Sequence, residues 1–154
     1  MSILKKIKLF KVIDNILANF GNIRAMQRTH VDTYTENEID NIVGEKIAES
    51  ENGQLWISYQ ELASFNFLNT TILSRINIKT LKGGKLIFSG ESKEFILPSD
   101  ITEIESDFSN ISNQWMTKIS YYVTENDLEL IRKREFNKIR FEFKKKSITF
   151  DAIK

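Results

Sequence analysis

Trp115-Met-Thr-Lys-Ile-Ser-Tyr-Tyr-Val123, then Thr124-Glu-Asn-Asp127, then Lys138-Ile-Arg-Phe-Glu-Phe143 form the stretch whose reading decides the fold. In the first segment Trp115, Ile119, Tyr121 and Val123 fall on alternate positions and share one strand face, while Lys118, Ser120, Tyr122 and Thr124 point the other way. Thr124 stands where a helix N-cap belongs, with Asp127 three residues on and Glu125 in the first turn. The free backbone N–H groups and the dipole of a short helix, from about Glu125 to Arg134, are both answered by these side chains. Leu128, Ile131 and Phe136 supply its apolar stripe, and Arg132, Lys133 and Arg134 place positive charge at its C-terminus. A second alternation follows, Ile139, Phe141 and Phe143 against Lys138, Arg140, Glu142 and Lys144. A polar turn at Lys145-Lys146 leads into Ile148, Phe150 and Ala152. A strand, a helix and a hairpin bury too little apolar surface to offset the entropy of ordering them, so this unit must pack on the rest of the chain.

Moving outward, the pattern is β from Leu55. Leu55 to Tyr59 opens it, Ala63 to Leu68 either extends it or re-enters the sheet, and Ile72, Ile76 and Ile78 alternate against Arg75, Asn77 and Lys79. Gly83-Gly84 turns the chain into Leu86–Ser89, Gly90 to Lys93 turns it again into Phe95–Leu97, and Pro98 ends that strand. An antiparallel meander is the economical reading. Ile101, Ile104, Phe108 and Ile111 fit either a short helix or a strand followed by a loop.

At the other end, residues 1–28 read as a helix with an apolar stripe through Ile3, Ile7, Phe10, Ile13, Leu17 and Phe20. Lys5, Lys6, Lys8, Lys11 and Asp14 interrupt it. This argues against a secretory signal, and against a membrane span, which needs about 20 mostly apolar residues. Three roles fit this helix: packing on the core, forming a homodimer seam, or lying on an anionic membrane surface. Thr35 and Glu38 have capping-box spacing, and Ile39, Ile42, Val43 and Ile47 recur at helical intervals, which predicts a second helix over 36–49. Gly44 speaks against it. The competing reading is a strand over 42–48 turning at Asn52-Gly53 into the next strand.

The whole chain of 154 residues is 41% hydrophobic and 28% charged, a globular composition long enough for one domain with its own core. Residues 1–50 form the mainly helical portion and 54–154 the antiparallel sheet with its helix at 125–135. The expected architecture is therefore α+β: N-terminal helices on a curved antiparallel sheet of about six to eight strands.

The chain has no cysteine and one histidine, His30, so thiolate zinc sites, a cysteine nucleophile and most histidine-based metal sites are excluded. No phosphate-cradling glycine loop and no Gly-x-Ser-x-Gly elbow occurs. Glu103, Glu105 and Asp107 would share one face of an extended segment and could offer hard oxygen ligands to a divalent cation, the basis of a metal-dependent enzyme reading. Trp56, Phe65, Phe67, Phe88, Phe95, Trp115 and Tyr121 exceed the needs of one sheet face and could line a cavity for a small apolar ligand. Lys138, Arg140, Lys144, Lys145, Lys146, Arg75 and Lys79 with Tyr122 suggest a nucleic-acid face, but a net charge of +1 argues against it. The reading that follows is a small cytoplasmic, non-enzymatic binding protein without a cofactor, acting on a protein partner or an apolar ligand. Its alternative is a peripheral membrane protein docking through Ile3, Lys5, Ile7, Lys8, Phe10, Lys11 and Leu17.

Overall fold

The computed structural model describes residues 33–154. Residues 33–40 are helical (α1). Nine strands and a second helix follow: β1 Glu45–Ser50, β2 Gly53–Leu62, β3 Phe65–Ser74, β4 Gly84–Ser89, β5 Glu94–Pro98, β6 Ser106–Ser109, β7 Gln114–Val123, α2 Glu125–Lys133, β8 Lys138–Phe143 and β9 Lys146–Ala152. All nine strands belong to one antiparallel sheet in the order β5-β4-β8-β9-β1-β2-β3-β7-β6. The coarse class is as expected, a curled antiparallel sheet with helices, but the strand count exceeds the expected range. The expected helix over residues 1–28 lies outside the described residues, and with it every side chain assigned to a membrane or dimer role.

The extra strand comes from the segment expected to be the second helix. Helix α1 stops at residue 40, Gly44 takes φ +112°, and β1 begins one residue later. That backbone conformation favours glycine, and a Cβ at Gly44 would also collide with the Ile57 carbonyl of β2. The register of β1 on β2 slips between Lys46 and Ala48, so Ile47 and Ala48 are adjacent and both fully buried. Such a bulge breaks strict alternation. This is why Ile42, Val43 and Ile47 mimic a helical period.

The C-terminal unit follows its expected course closely. Thr124 Oγ1 accepts from Asp127 N at 3.1 Å, and Asp127 Oδ2 accepts from Thr124 N at 3.0 Å, a complete capping box for α2. Arg134 ends the helix in the left-handed region. Three features elsewhere in the sheet differ from expectation. The strand expected through Ile78 ends at Ser74, and the β8–β9 turn falls on Lys144-Lys145. Gly83-Gly84 does not close a hairpin either, because β4 pairs with β8 and β5 rather than with β3.

The sheet curls into a half-barrel around one core. Leu55, Leu68, Ile72, Leu86, Phe88, Ile119, Tyr121, Ile139, Phe141 and Phe150 fill its concave side, and all are essentially inaccessible. Helix α2 closes one end with Leu128 and Ile131, joined by Phe136. At the opposite end Ile78 and Ile104 enter from loops, and Thr80 and Ile104 exchange backbone hydrogen bonds of 3.0 and 2.9 Å. The two flanks of the sheet meet where β6 leaves the upper edge of β7 uncovered: β5 lies against β7, and Asp100 N donates to Ser120 O at 2.8 Å.

Candidate functional site

The longest strands, β2, β3 and β7, have ten residues each and lie side by side, with β2 and β3 joined at Ala63-Ser64. Both turn residues have positive φ, +50° and +71°, the backbone of a tight type I′ hairpin, achieved without glycine. Period-two geometry then decides which side chains face outward. Leu68 pairs with Tyr59 and Tyr121 on the concave side, so Phe67, opposite Gln60 and Tyr122, lies on the convex side, as does Phe65 opposite Leu62.

Four large apolar side chains therefore gather on the outer face near the hairpin tip. The Phe65 and Tyr122 rings are 5.8 Å apart, and the Phe67 and Tyr122 rings are 6.2 Å apart, edge to face. Leu62, Phe65 and Tyr122 remain 54%, 53% and 50% exposed, so the core does not account for them. At the rim, Tyr59 meets Arg132 of α2, whose guanidinium carbon lies 5.7 Å from the ring centroid. Burial raises the Tyr59 hydroxyl above its ordinary pKa, while Arg134 and Arg132 pull it back.

Below the aromatic patch the same face becomes polar. Asn69 Nδ2 donates to Gln60 Oε1 at 3.0 Å, and Ser120 Oγ donates to Asn69 Oδ1 at 2.7 Å, forming a row of amide and hydroxyl groups across β2, β3 and β7. This row lies in a groove of about 340 Å³ bounded on its far side by Glu38, Asn41, Ile42 and Val43. Helix α1 is held there by Glu36, whose Oε2 accepts from Ser109 Oγ at 2.7 Å and Ser112 Oγ at 2.8 Å, and by Glu38, which pairs with Lys118 at 3.2 Å. The Tyr34 hydroxyl titrates above its ordinary value, first through its hydrogen bond to Glu38, then through burial and the charges of Glu38 and Asp107.

The seven residues expected to line one cavity are dispersed. Phe65 and Phe67 belong to the outer patch, and Trp56, also on the outer face, donates Nε1–H to Gln54 Oε1 at 3.1 Å. Phe88 stacks on Phe95 at 4.5 Å and meets Phe136 edge-on at 5.1 Å inside the core. Trp115 packs on Phe108 at 4.8 Å near the β6 edge, and Tyr121 is wholly buried. Glu103 and Glu105 flank the Ile104 bridge and Asp107 lies in β6. Among the described residues no group of three or more His, Cys, Asp or Glu is placed to hold a metal ion.

The ring suggested for a nucleic-acid face does not join the cations, of which Lys144, Lys145 and Lys146 share the end of the β8–β9 hairpin. Lys138 pairs with Asp151 at 3.8 Å and Arg140 with Glu142 at 3.3 Å, while Tyr122 belongs to the patch on β7. Sequence reasoning placed Tyr122 on a polar face and missed Leu62, Gln60, Asn69 and Ser120. The available signal was parity, because Leu62, Phe65 and Phe67 stand on the convex register of their strands. Comparison of the chain with protein-family models, with curated proteins and with solved structures finds no match in any of the three.

Proposed function

We propose that this chain is a small non-enzymatic binding protein that holds a segment of a partner protein across the outer face of β2, β3 and β7. The observation that supports this reading is the cluster of half-exposed Leu62, Phe65 and Tyr122 with the partly buried Phe67, contiguous with the Gln60–Asn69–Ser120 row. Large apolar side chains left on a surface cost solubility unless a partner covers them, and aromatic anchors supply much of the energy of protein contacts. The amide row adds donors and acceptors of the kind an extended peptide backbone can satisfy. Rings anchor the partner's apolar side chains, and the row reads its main chain.

The test is selection of binding peptides from a random displayed library against the full chain, followed by affinity measurements on the variant Phe65→Ser/Tyr122→Ser. The expected result is peptides with spaced apolar residues whose affinity falls about tenfold or more in the variant, with no loss of melting temperature. Peptides that bind both forms equally would overturn the assignment. Substrate turnover in a broad hydrolase and transferase screen, lost on mutating a polar groove residue, would overturn the non-enzymatic reading. The membrane alternative rests on residues 1–28, outside the described residues. Among the described residues no helix is long and apolar enough to cross a membrane.

A further inference from the structure

At the end of the half-barrel away from α2 lies a second open groove, of about 540 Å³, between the chain entering β4, the chain leaving β5 and the β8–β9 turn. Lys82, Lys85, Lys144, Lys145 and Lys146 line it, all exposed, with Glu142 as its one acidic residue. Glu142 is engaged by Arg140 at 3.3 Å. Among the described residues, none of the five lysines has an ion-pair partner. Their convergence is a product of the tertiary fold. Residues 82–85 and 144–146 are distant in sequence and meet because β4 pairs with β8, with Lys85 opposite Glu142 and Gly84 opposite Phe143.

The groove floor shows what kind of recognition is available. Gly83 N donates to Thr102 O at 2.7 Å, Gly84 N donates to Ser99 Oγ at 3.0 Å, and Ser99 N donates to Gly84 O at 2.8 Å. These amides are already used, so Gly83-Gly84-Lys85 offers no backbone cradle of the P-loop kind. Recognition falls to the ammonium groups alone. The aromatic lining residue, Phe143, is buried in the core with Phe141, which leaves no ring on which a base could stack. Clustered ammonium groups without a stacking surface suit a compact ligand of high charge density.

We propose that this groove binds a soluble ligand carrying a run of adjacent phosphate groups, held by Lys82, Lys85 and the Lys144–Lys146 turn without reading of a base. The site is separate from the aromatic face, and its test does not depend on that reading. Inorganic tripolyphosphate is titrated into the full chain by calorimetry, alongside inorganic phosphate, a short DNA duplex and anionic lipid vesicles. Two variants losing the same charge are compared: Lys85→Gln/Lys145→Gln/Lys146→Gln in the groove, and Lys79→Gln/Lys93→Gln/Lys133→Gln outside it.

Tripolyphosphate is expected to bind more tightly than phosphate, to lose about tenfold or more in affinity in the groove variant, and to keep its affinity in the control. Binding should also weaken steeply between about 50 and 200 mM salt, as for other contacts made by charge. Equal binding by the wild type and the groove variant, or equal losses in both variants, would overturn the assignment. So would a chain that binds duplex or vesicles through these lysines but does not bind tripolyphosphate, because the ligand would then be a macromolecular surface. Unchanged melting temperatures of both variants separate lost binding from lost folding.

Discussion

Tyr121 sits wholly inside the half-barrel, and among the described residues its hydroxyl has no hydrogen-bond partner. Burial pushes its pKa far up; the Thr70 hydroxyl beside it lowers it in part as a weak polar neighbour, but Thr70 Oγ1 gives its proton to Ile119 O at 3.1 Å and makes no well-formed hydrogen bond to the ring hydroxyl. A buried unpaired hydroxyl costs free energy that a phenyl ring of the same shape does not. Tyr121→Phe is therefore expected to leave stability at pH 7 unchanged or raise it by up to about 1 kcal/mol, measured by urea denaturation. The pH dependence has a defined sign. The folded pKa lies above the unfolded value of about 10, so this tyrosine's contribution is complete below pH 10 and is lost as pH rises further. The phenylalanine variant should lose stability less steeply above pH 10 than the wild type. Tyr34 and Tyr59, also raised, account for part of the decline that persists.

Helix α2 makes its contribution as an element. It closes an end of the barrel through Leu128 and Ile131 while its opposite face stays in water, and its N-terminus is fixed by the reciprocal Thr124–Asp127 pair. Beyond its C-terminus Arg134 reaches Glu45 of β1 at 2.8 Å, but this pair is largely exposed and adds little. Thr124→Ala leaves the Asp127 amide without its acceptor and is expected to lower stability by about 1 kcal/mol in urea denaturation. The same element was the most legible in the sequence, because a capping box, an amphipathic stripe and dipole-complementary charge are all local signals. Residues 36–49 were ambiguous for the same reason. A helix ending at residue 40, a left-handed Gly44 and a bulge at Ile47 compress two elements into one apparent period.

At the scale of the whole molecule, the curl depends on ties between strands that are far apart in the sheet order. Ile104 is 2% exposed, bridges to Thr80, and sits on the segment that carries Asp100 across to Ser120 of β7. Ile104→Ala removes a core side chain where the two flanks meet and is expected to cost about 2–5 kcal/mol. Hydrogen exchange should show where. The Thr80, Ile104 and Asp100 amides should exchange faster than in the wild type, while those at the centre of the β2–β3–β7 ladder change least, since that ladder is the longest continuous pairing.

Sequence alone determined the local elements: the alternating strands β7, β8 and β9, the capped helix that follows β7, and, as one of two readings, a hairpin between β1 and β2, whose turn falls on Glu51-Asn52 rather than on the expected Asn52-Gly53. These follow from rules a few residues long, namely period, caps and turn chemistry. Tertiary structure decided which strands are neighbours. Alternation reports that a strand buries one face but not against what, so the pairing of β4 with β8, and with it the meeting of Lys85 with the Lys144–Lys146 turn, cannot be read from either segment alone. The same holds for the aromatic residues. Their chemistry was visible from the start, but only the register of β2, β3 and β7 placed Leu62, Phe65, Phe67 and Tyr122 together outside the core, with Tyr121 inside it.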